Sequence, residues 1–341
     1  MKETQFRNKI YWFTFLFSVL VVWTHSYNSE LFLGRMPAAI TVYRIEHFLG
    51  DTVAQIAVPG FFMISAYLFY RNFTWQKLSD KWNSRIKSVL LPFALWNAIY
   101  YLGYVIASRL PWVSDVLGKG VIPLDLFTAA DAILHYTYNY VFWYLYQLLL
   151  LILLAPLLYG VLQHRYVGAI GLIGIALAIA LGFHIPQLNL DALFYYAVAA
   201  YAALHGKSAV ERVWNKKTGQ KGLLLFVVSI LLWYFCPIKT AGITVAFRLM
   251  VPIALWVMIP EDRLMEAKPW MRYNFFLYAT HFAMVRLINK TAAIVLPGSP
   301  LLALGIYLSM PIMVTVISFW LGAFLRRYMP QAWRLLDGDR S

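Results

Sequence analysis

The sequence predicts an all-α, polytopic integral membrane protein of about ten transmembrane helices, with both termini on the cytoplasmic side. Three observations carry that prediction. First, 61% of the 341 residues are hydrophobic and only 13% are charged, whereas soluble domains run at roughly half apolar and a quarter charged. Lipid is the solvent that suits such a chain, because one aqueous core cannot bury that much apolar surface. Second, ten apolar runs approach the ~20 residues needed to cross a bilayer. Third, the cations between those runs concentrate on one side of the membrane.

The first run, about 9–27, follows Lys2, Arg7 and Lys9, as the core of a signal peptide would. No small-x-small cleavage site follows, and the run ends in Trp23-Thr24-His25, so it reads as an uncleaved first span. The second run covers 52–70 and the third 88–108, the latter entered through Lys81, Arg85 and Lys87. The fourth, 141–162, contains Pro156. The fifth and sixth, 167–184 and 190–205, are short and meet at His184-Ile185-Pro186. The seventh, 222–236, is short as well, which leaves nine or eleven crossings open. The eighth, ninth and tenth cover 242–259, 273–296 and 301–325. Trp and Tyr crowd the ends of these runs, as amphipathic rings do at headgroup level. Gly174, Ala178 and Gly182 fall four apart, a spacing that suits close helix packing. The segments 28–51 and 109–140 carry Pro, aromatic and acidic residues and are expected to fold over the outer mouth. With no repeat, low-complexity tract or attached soluble domain legible, residues 1–341 read as a single integral-membrane domain.

With the N-terminus inside, 21 of the 29 Lys and Arg residues fall in cytoplasmic segments. Only Arg35, Arg44, Arg109, Lys119 and Lys239 fall outside, and Arg248, Arg286 and Lys290 lie within spans. Every cytoplasmic segment contributes, and a wrong helix count would scramble the alternation. The basic clusters are short and sit between apolar runs, the pattern of residues facing anionic headgroups in the bilayer; a nucleic-acid partner is not expected. Cys236 is the one cysteine, which excludes an intramolecular disulfide and a Cys-based metal site; it is expected to pack as an apolar residue.

Ionisable groups inside a bilayer are expensive, so each is a functional candidate. His25 falls in the outer half of the first span. An imidazole there is either a base for a hydroxyl nucleophile or a structural group bonded at the interface, and residue type leaves both readings open. Tyr278 and His281 are three apart on the ninth span and share a helix face; they orient a substrate, or each other, or form a satisfied core pair. Arg85 and Lys87 at the entrance to the third span hold a phosphorylated ligand or simply anchor the helix. The histidines are scattered singly with no HExxH, so no metal is expected, and no Walker A or GxGxxG pattern is present.

Taken together, several segments resemble the membrane-bound acyltransferase family 3, which includes bacterial O-acyltransferases of envelope polysaccharides. Val58-Pro59-Gly60-Phe61-Phe62-Met63-Ile64-Ser65-Ala66-Tyr67-Leu68-Phe69 resembles the family's VPxFFxxSGxLL span, with Ala66 in place of glycine. Arg85 through Asn97 resembles its basic entrance followed by LLPY-x-x-W. Phe142-Trp143-Tyr144-Leu145-Tyr146 with Pro156 resembles its WFLxxL…P span, and Tyr278-x-x-His281 its late YLxH. His25 falls where the family's first-span histidine is expected. The family's first-span arginine, which precedes that histidine by ten intervening residues, is replaced by Thr14; Arg248 and Arg286 are the candidates to stand in for it.

The resemblance implies transfer of an acyl group, acetyl by analogy, from cytoplasmic acyl-CoA to a hydroxyl of a cell-envelope glycan or lipid-linked sugar, in a multi-pass protein of the bacterial plasma membrane. It implies His25 as general base and Arg85, with Lys87, as contacts to the CoA phosphates. Ser65, Trp143, Tyr278, His281, Arg248 and Arg286 are then polar or substrate-facing candidates. Two other readings stay open: a transporter or flippase, whose path the buried His and Arg would serve, and a non-catalytic membrane partner that keeps the fold, which the missing first-span arginine allows.

Overall fold

The computed structural model describes residues 1–34, 37, 39–111, 113–114, 119–236 and 238–339. Arg35 and Arg340, both in the charge tally, lie outside the described residues. The named elements are all helical: α1 (Glu3–Thr24), α2 (Ser29–Leu33), α3 (Ala39–His47), α4 (Ala57–Tyr70), α5 (Leu78–Arg85), α6 (Leu91–Ala107), α7 (Leu126–Leu134), α8 (Trp143–Leu153), α9 (Ala155–Leu162), α10 (Arg165–Ala180), α11 (Leu190–His205), α12 (Lys207–Val210), α13 (Lys216–Phe235), α14 (Ala241–Met258), α15 (Asn274–Val295), α16 (Pro300–Tyr328) and α17 (Pro330–Asp337). π-Helical turns at Phe48–Val53 and Ile86–Leu90 lie between α3 and α4 and between α5 and α6. Local chemistry starts several helices. Asp125, Asn189 and Asn215 each accept a backbone N–H from the first turn of α7, α11 and α13, satisfying a donor that has no partner within the helix.

Each of the ten apolar runs lies on helix, but fewer helices are long and apolar enough to cross a bilayer. Among the described residues six helical stretches qualify: Glu3–Leu33, Ala39–Tyr70, Trp75–Ala107, Lys216–Phe235, Ala241–Met258 and Pro300–Tyr328. The fourth run is broken between α8 and α9 and makes a seventh only if the pair counts as one span. The physical reason for the break is Pro156, which has no N–H to offer the carbonyl four residues back. That carbonyl, on Ile152, instead accepts the Trp82 indole N–H at 2.9 Å. The other three runs fall short for separate reasons. α10 and α11 have 16 residues each, about 24 Å of helix, against a hydrocarbon core of about 30 Å. α15 has 22 residues but carries Arg286 and Lys290.

The helices gather into two compact units. The larger comprises Met1–Trp75 and Leu154–Trp320. α1 runs through its core, where Phe13, Phe17, Leu20 and Val21 pack with Ala54, Ile56, Ala57, Phe247 and Val251. Gly60, in the VPGFF segment, is what lets α4 approach α1: a Cβ there would sit 2.2 Å from the Phe17 ring. α13 and α14 pack along each other, and a Cβ on Gly222 would meet the Met258 nitrogen at 2.8 Å. The stripe expected at Gly174, Ala178 and Gly182 does not play this part. A Cβ on Gly174 or Gly182 would meet nothing within 4 Å, and Ile170, Ile173, Leu177 and Leu181 around them are exposed, as a lipid-facing surface is.

An ionic cluster ties this unit at its basic end. Arg71, just past α4, donates from Nε to Glu211 Oε1 at 2.6 Å and from Nη2 to Oε2 at 2.8 Å. Its Nη1 also donates to Glu3 at 3.1 Å, and its guanidinium lies 4.3 Å from the Phe6 ring centre. Tyr67 donates its hydroxyl to Glu211 at 2.6 Å. The hydrogen bonds to Glu211 and Glu3 hold the Arg71 guanidinium above its ordinary pKa. Burial works to raise the Glu211 carboxyl, but the bonds from Arg71 and Tyr67 outweigh it and hold the group below the usual carboxylate range.

The smaller unit comprises Gln76–Leu153 and Leu321–Ser341. α6 is held against α17 by the Trp96 indole, which donates to the Leu336 carbonyl at 2.9 Å. α17 ends at Gly338 with φ +72°, where a Cβ would come within 2.9 Å of the Ser88 carbonyl oxygen, so glycine serves both the left-handed turn and the close approach. Asn97 donates to the Ile133 carbonyl and accepts from Asn139, which fixes the segment before α8.

Candidate active site

α1 ends at His25 because the following residues capture the last turn. The Ser26 hydroxyl donates to the Val22 carbonyl at 2.6 Å, and Asn289 on α15 donates to the Ser26 and Tyr27 carbonyls, each at 3.3 Å. Asn28 donates to the Ala303 carbonyl on α16 at 3.0 Å. The Glu46 carboxylate, fully buried, accepts the backbone N–H groups of Asn28 and Ser29 at 3.0 and 3.2 Å. Those two N–H groups open α2 and would otherwise lack partners. The exit from α1 is thus clamped by buried polar groups from three other segments, and His25 sits at its head.

The His25 ring faces His281 of α15, with ring centres 5.3 Å apart, and packs edge-on against Phe282 at 5.8 Å. His281 is wholly buried. Its Nδ1 lies 2.5 Å from the Tyr278 carbonyl oxygen. A carbonyl only accepts, so Nδ1 carries the hydrogen and the neutral ring presents a bare lone pair at Nε2. Among the described residues that Nε2 has no hydrogen-bond partner. The Tyr278 ring lies 5.8 Å from His281. The sequence-spaced pair is therefore joined through the Tyr278 main chain, and the residue that His281 faces is His25.

The other expected residues are distributed as follows. Thr14, at the family's arginine position, donates its hydroxyl to the Ile10 carbonyl at 2.9 Å and accepts from Asn274 Nδ2 at 2.9 Å. Asn274 begins α15, and its Oδ1 is buried without a partner among the described residues. A neutral Thr–Asn pair therefore occupies the position that the resemblance assigns to an arginine. Arg248 on α14 interacts with the Asp191 carboxylate of α11, and Arg286 lies 5.3 Å from the Phe282 ring centre. Ser65 lies half-buried in the middle of α4. Trp143 starts α8 in the smaller unit, also half-buried.

Arg85 and Lys87 belong to the smaller unit. Arg85 closes α5 half-buried, whereas Lys87 is exposed within the π-helical turn. Lys81 lies within electrostatic range of both Lys77 and Arg85. Their four-residue spacing sets all three in a row along one helical face. That spacing is legible in the sequence. Asn274 and Asn289 were legible as polar residues in an apolar run. Glu46 carried no such sign, since its partners are backbone groups. Among the described residues no group of three or more potential ligands is arranged to hold a metal.

A family model described as "Acyltransferase domain" matches residues 10–323, nearly the whole chain. The chain belongs to this acyltransferase family. It is also similar to the succinoglycan biosynthesis protein ExoH of Rhizobium meliloti (strain 1021), 30% identical over 174 residues. That similarity covers 47% of this chain and 44% of ExoH, so the chain matches less than half the length of this relative. No solved structure matches. The family match and the long apolar helices together describe a multi-pass membrane protein of the acyltransferase family.

Proposed function

We propose that the protein transfers an acyl group, acetyl in the simplest case, from acyl-CoA on the cytoplasmic side to a hydroxyl of an envelope glycan or lipid-linked sugar outside. The observation that carries this reading is the His25–His281 pair: two rings 5.3 Å apart, one with its tautomer fixed. In the reaction His25 takes the acceptor's hydroxyl proton while the oxygen bonds to the thioester carbon. The C–S bond then breaks, and the proton passes to the departing CoA thiolate, so no other reactant is needed. His281, whose Nε2 lone pair has no partner among the described residues, accepts a hydrogen bond from the acceptor hydroxyl or from His25 and aligns the exchange. Lys77, Lys81 and Arg85 supply the row of charge that CoA phosphates require.

The remaining parts of the reading concern the membrane. Ten crossings with both termini inside place every basic cluster on the cytoplasmic face of a bacterial plasma membrane. α10 and α11 then cross as short, tilted or locally thinned spans. The test is donor consumption. Purified protein with acetyl-CoA and base-deacylated envelope glycan releases thiol, and His25→Ala does not. Thiol release unaffected by His25→Ala removes His25 from the mechanism, and none by the wild type removes the reading itself.

A further inference from the structure

Two residues beyond His25, the chain enters an arrangement that the transfer chemistry leaves unused. The Tyr27 ring stacks on His47 at 4.7 Å with 12° between planes, and His47 in turn lies 3.9 Å from Tyr43. On its other side Tyr27 lies parallel to Tyr307 of α16, 6.2 Å away at 17°. Four rings therefore form one ladder. Asp51, in the π-helical turn, locks its middle: one carboxylate oxygen accepts the Tyr27 hydroxyl at 2.6 Å and the other takes His47 Nδ1 at 2.5 Å. The main chain makes room for this, since a Cβ on Gly50 would stand 2.0 Å from the Tyr27 hydroxyl.

The ladder ends in the open. Tyr43 is 51% exposed, and it borders a hollow of about 570 Å³ lined, among the described residues, by Ser29, Glu30 and Arg44 as well. Neither Glu30 nor Arg44 makes an ion pair among the described residues. The ordinary explanation of exposed Tyr rings near a span end is a headgroup belt. Belt residues reach the interface singly, however, whereas these rings are stacked on one another and pinned by a carboxylate. A rigid aromatic face, with an acceptor and a planar five-donor group beside it, has a definite chemical complement. A pyranose offers polarised C–H bonds to the negative face of the ring and hydroxyls around its edge to the carboxylate and guanidinium.

We propose that Tyr43, backed by the His47–Tyr27–Asp51 lock and flanked by Glu30 and Arg44, is a carbohydrate subsite that holds a pyranose unit of the acceptor. The inference rests on the acyl-transfer reading and sharpens it: the acceptor is recognised by its sugar rather than by a lipid. Chain geometry supports a shared task. Tyr27 is joined to His25 through a single residue, at most about 7 Å of chain, and two ring spacings of 4.7 and 3.9 Å lead from Tyr27 to Tyr43, so an oligosaccharide with one unit on Tyr43 can extend a neighbouring unit toward the proposed base.

The experiment uses the full-length protein in lipid nanodiscs, fluorescently labelled and applied to an array of bacterial envelope oligosaccharides. Tyr43→Ala and Asp51→Asn are compared with the wild type, and all three are first matched by gel filtration and thermal unfolding. The expected result is binding of at least one pyranose-containing glycan by the wild type, weakened tenfold or more in both variants, with affinity for acetyl-CoA unchanged. The subsite is overturned if the wild type binds no glycan, or if both variants bind as the wild type does. It is equally overturned if binding in all three is displaced by a polyprenyl phosphate, which would place recognition on the lipid. If glycan binding behaves as expected but His25→Ala leaves transfer intact, the mechanism fails and the subsite stands.

Discussion

Glu211→Gln tests whether the Arg71 cluster holds the larger unit together. Both side chains are only 15% exposed, and Glu211 accepts three hydrogen bonds, two from Arg71 and one from Tyr67. Glutamine keeps the shape but turns one acceptor oxygen into an NH₂ facing the guanidinium. Breaking a buried ion pair by removing one partner costs about 3–5 kcal/mol. Glu3 still reaches Arg71 at 2.7 Å and one Gln oxygen still accepts, so the expected loss is about 2 kcal/mol, in the range of one charge-assisted hydrogen bond. At roughly 2–4 °C per kcal/mol, the apparent Tm in detergent, scanned at a fixed rate, falls by about 4–8 °C. The pH dependence has a definite sign. The folded Glu211 carboxyl is held below its ordinary value, so its contribution is complete above the unfolded value of about 4.3 and is lost as pH falls through the folded one. The gap between wild type and Glu211→Gln is therefore constant between pH 6 and 8 and narrows on acidification. A Tm within a degree of wild type at pH 7, or a gap that widens in acid, refutes the reasoning.

Three further outcomes follow from the same geometry. Arg85→Ala weakens acyl-CoA binding by isothermal titration about tenfold, whereas Lys87→Ala, in the exposed turn, changes it less; equal losses contradict the row of Lys77, Lys81 and Arg85. His281→Ala lowers turnover by at least roughly a hundredfold, the low end for a proton-handling group, with donor affinity unchanged; full turnover returns His281 to a packing role. Gly222→Ala puts a methyl 2.8 Å from the Met258 backbone nitrogen and lowers stability by about 1–3 kcal/mol. Gly174→Ala, with nothing within 4 Å, is neutral or stabilising by up to about 1 kcal/mol, and the reverse order in a thermal-unfolding assay would show the helix seam to be misplaced.

What was legible in the sequence is what depends on solvent and period. Lipid demands apolar runs, and all ten runs lie on helix. The crossing count was less legible because length alone does not register where Pro156 interrupts hydrogen bonding or where Arg286 and Lys290 load α15. His25 and His281 stood out as ionisable groups in apolar surroundings, but their facing each other depends on how α1 meets α15, which no local pattern encodes. The same holds for Glu46, whose buried partners are main-chain groups of residues 28 and 29. Tyr43, His47 and Asp51 lie at four-residue spacing and were readable as one helical face. Tyr27 and Tyr307 join that face only through the fold.

The most direct test of acyl transfer follows label across a membrane. Protein is reconstituted in sealed liposomes with radiolabelled acetyl-CoA on the side of the Lys77–Lys81–Arg85 row and base-deacylated envelope glycan on the other. The account predicts base-labile label on the glycan with the wild type and none above background with His25→Ala. Equal labelling by the two proteins, or none by the wild type while it stays folded, contradicts it.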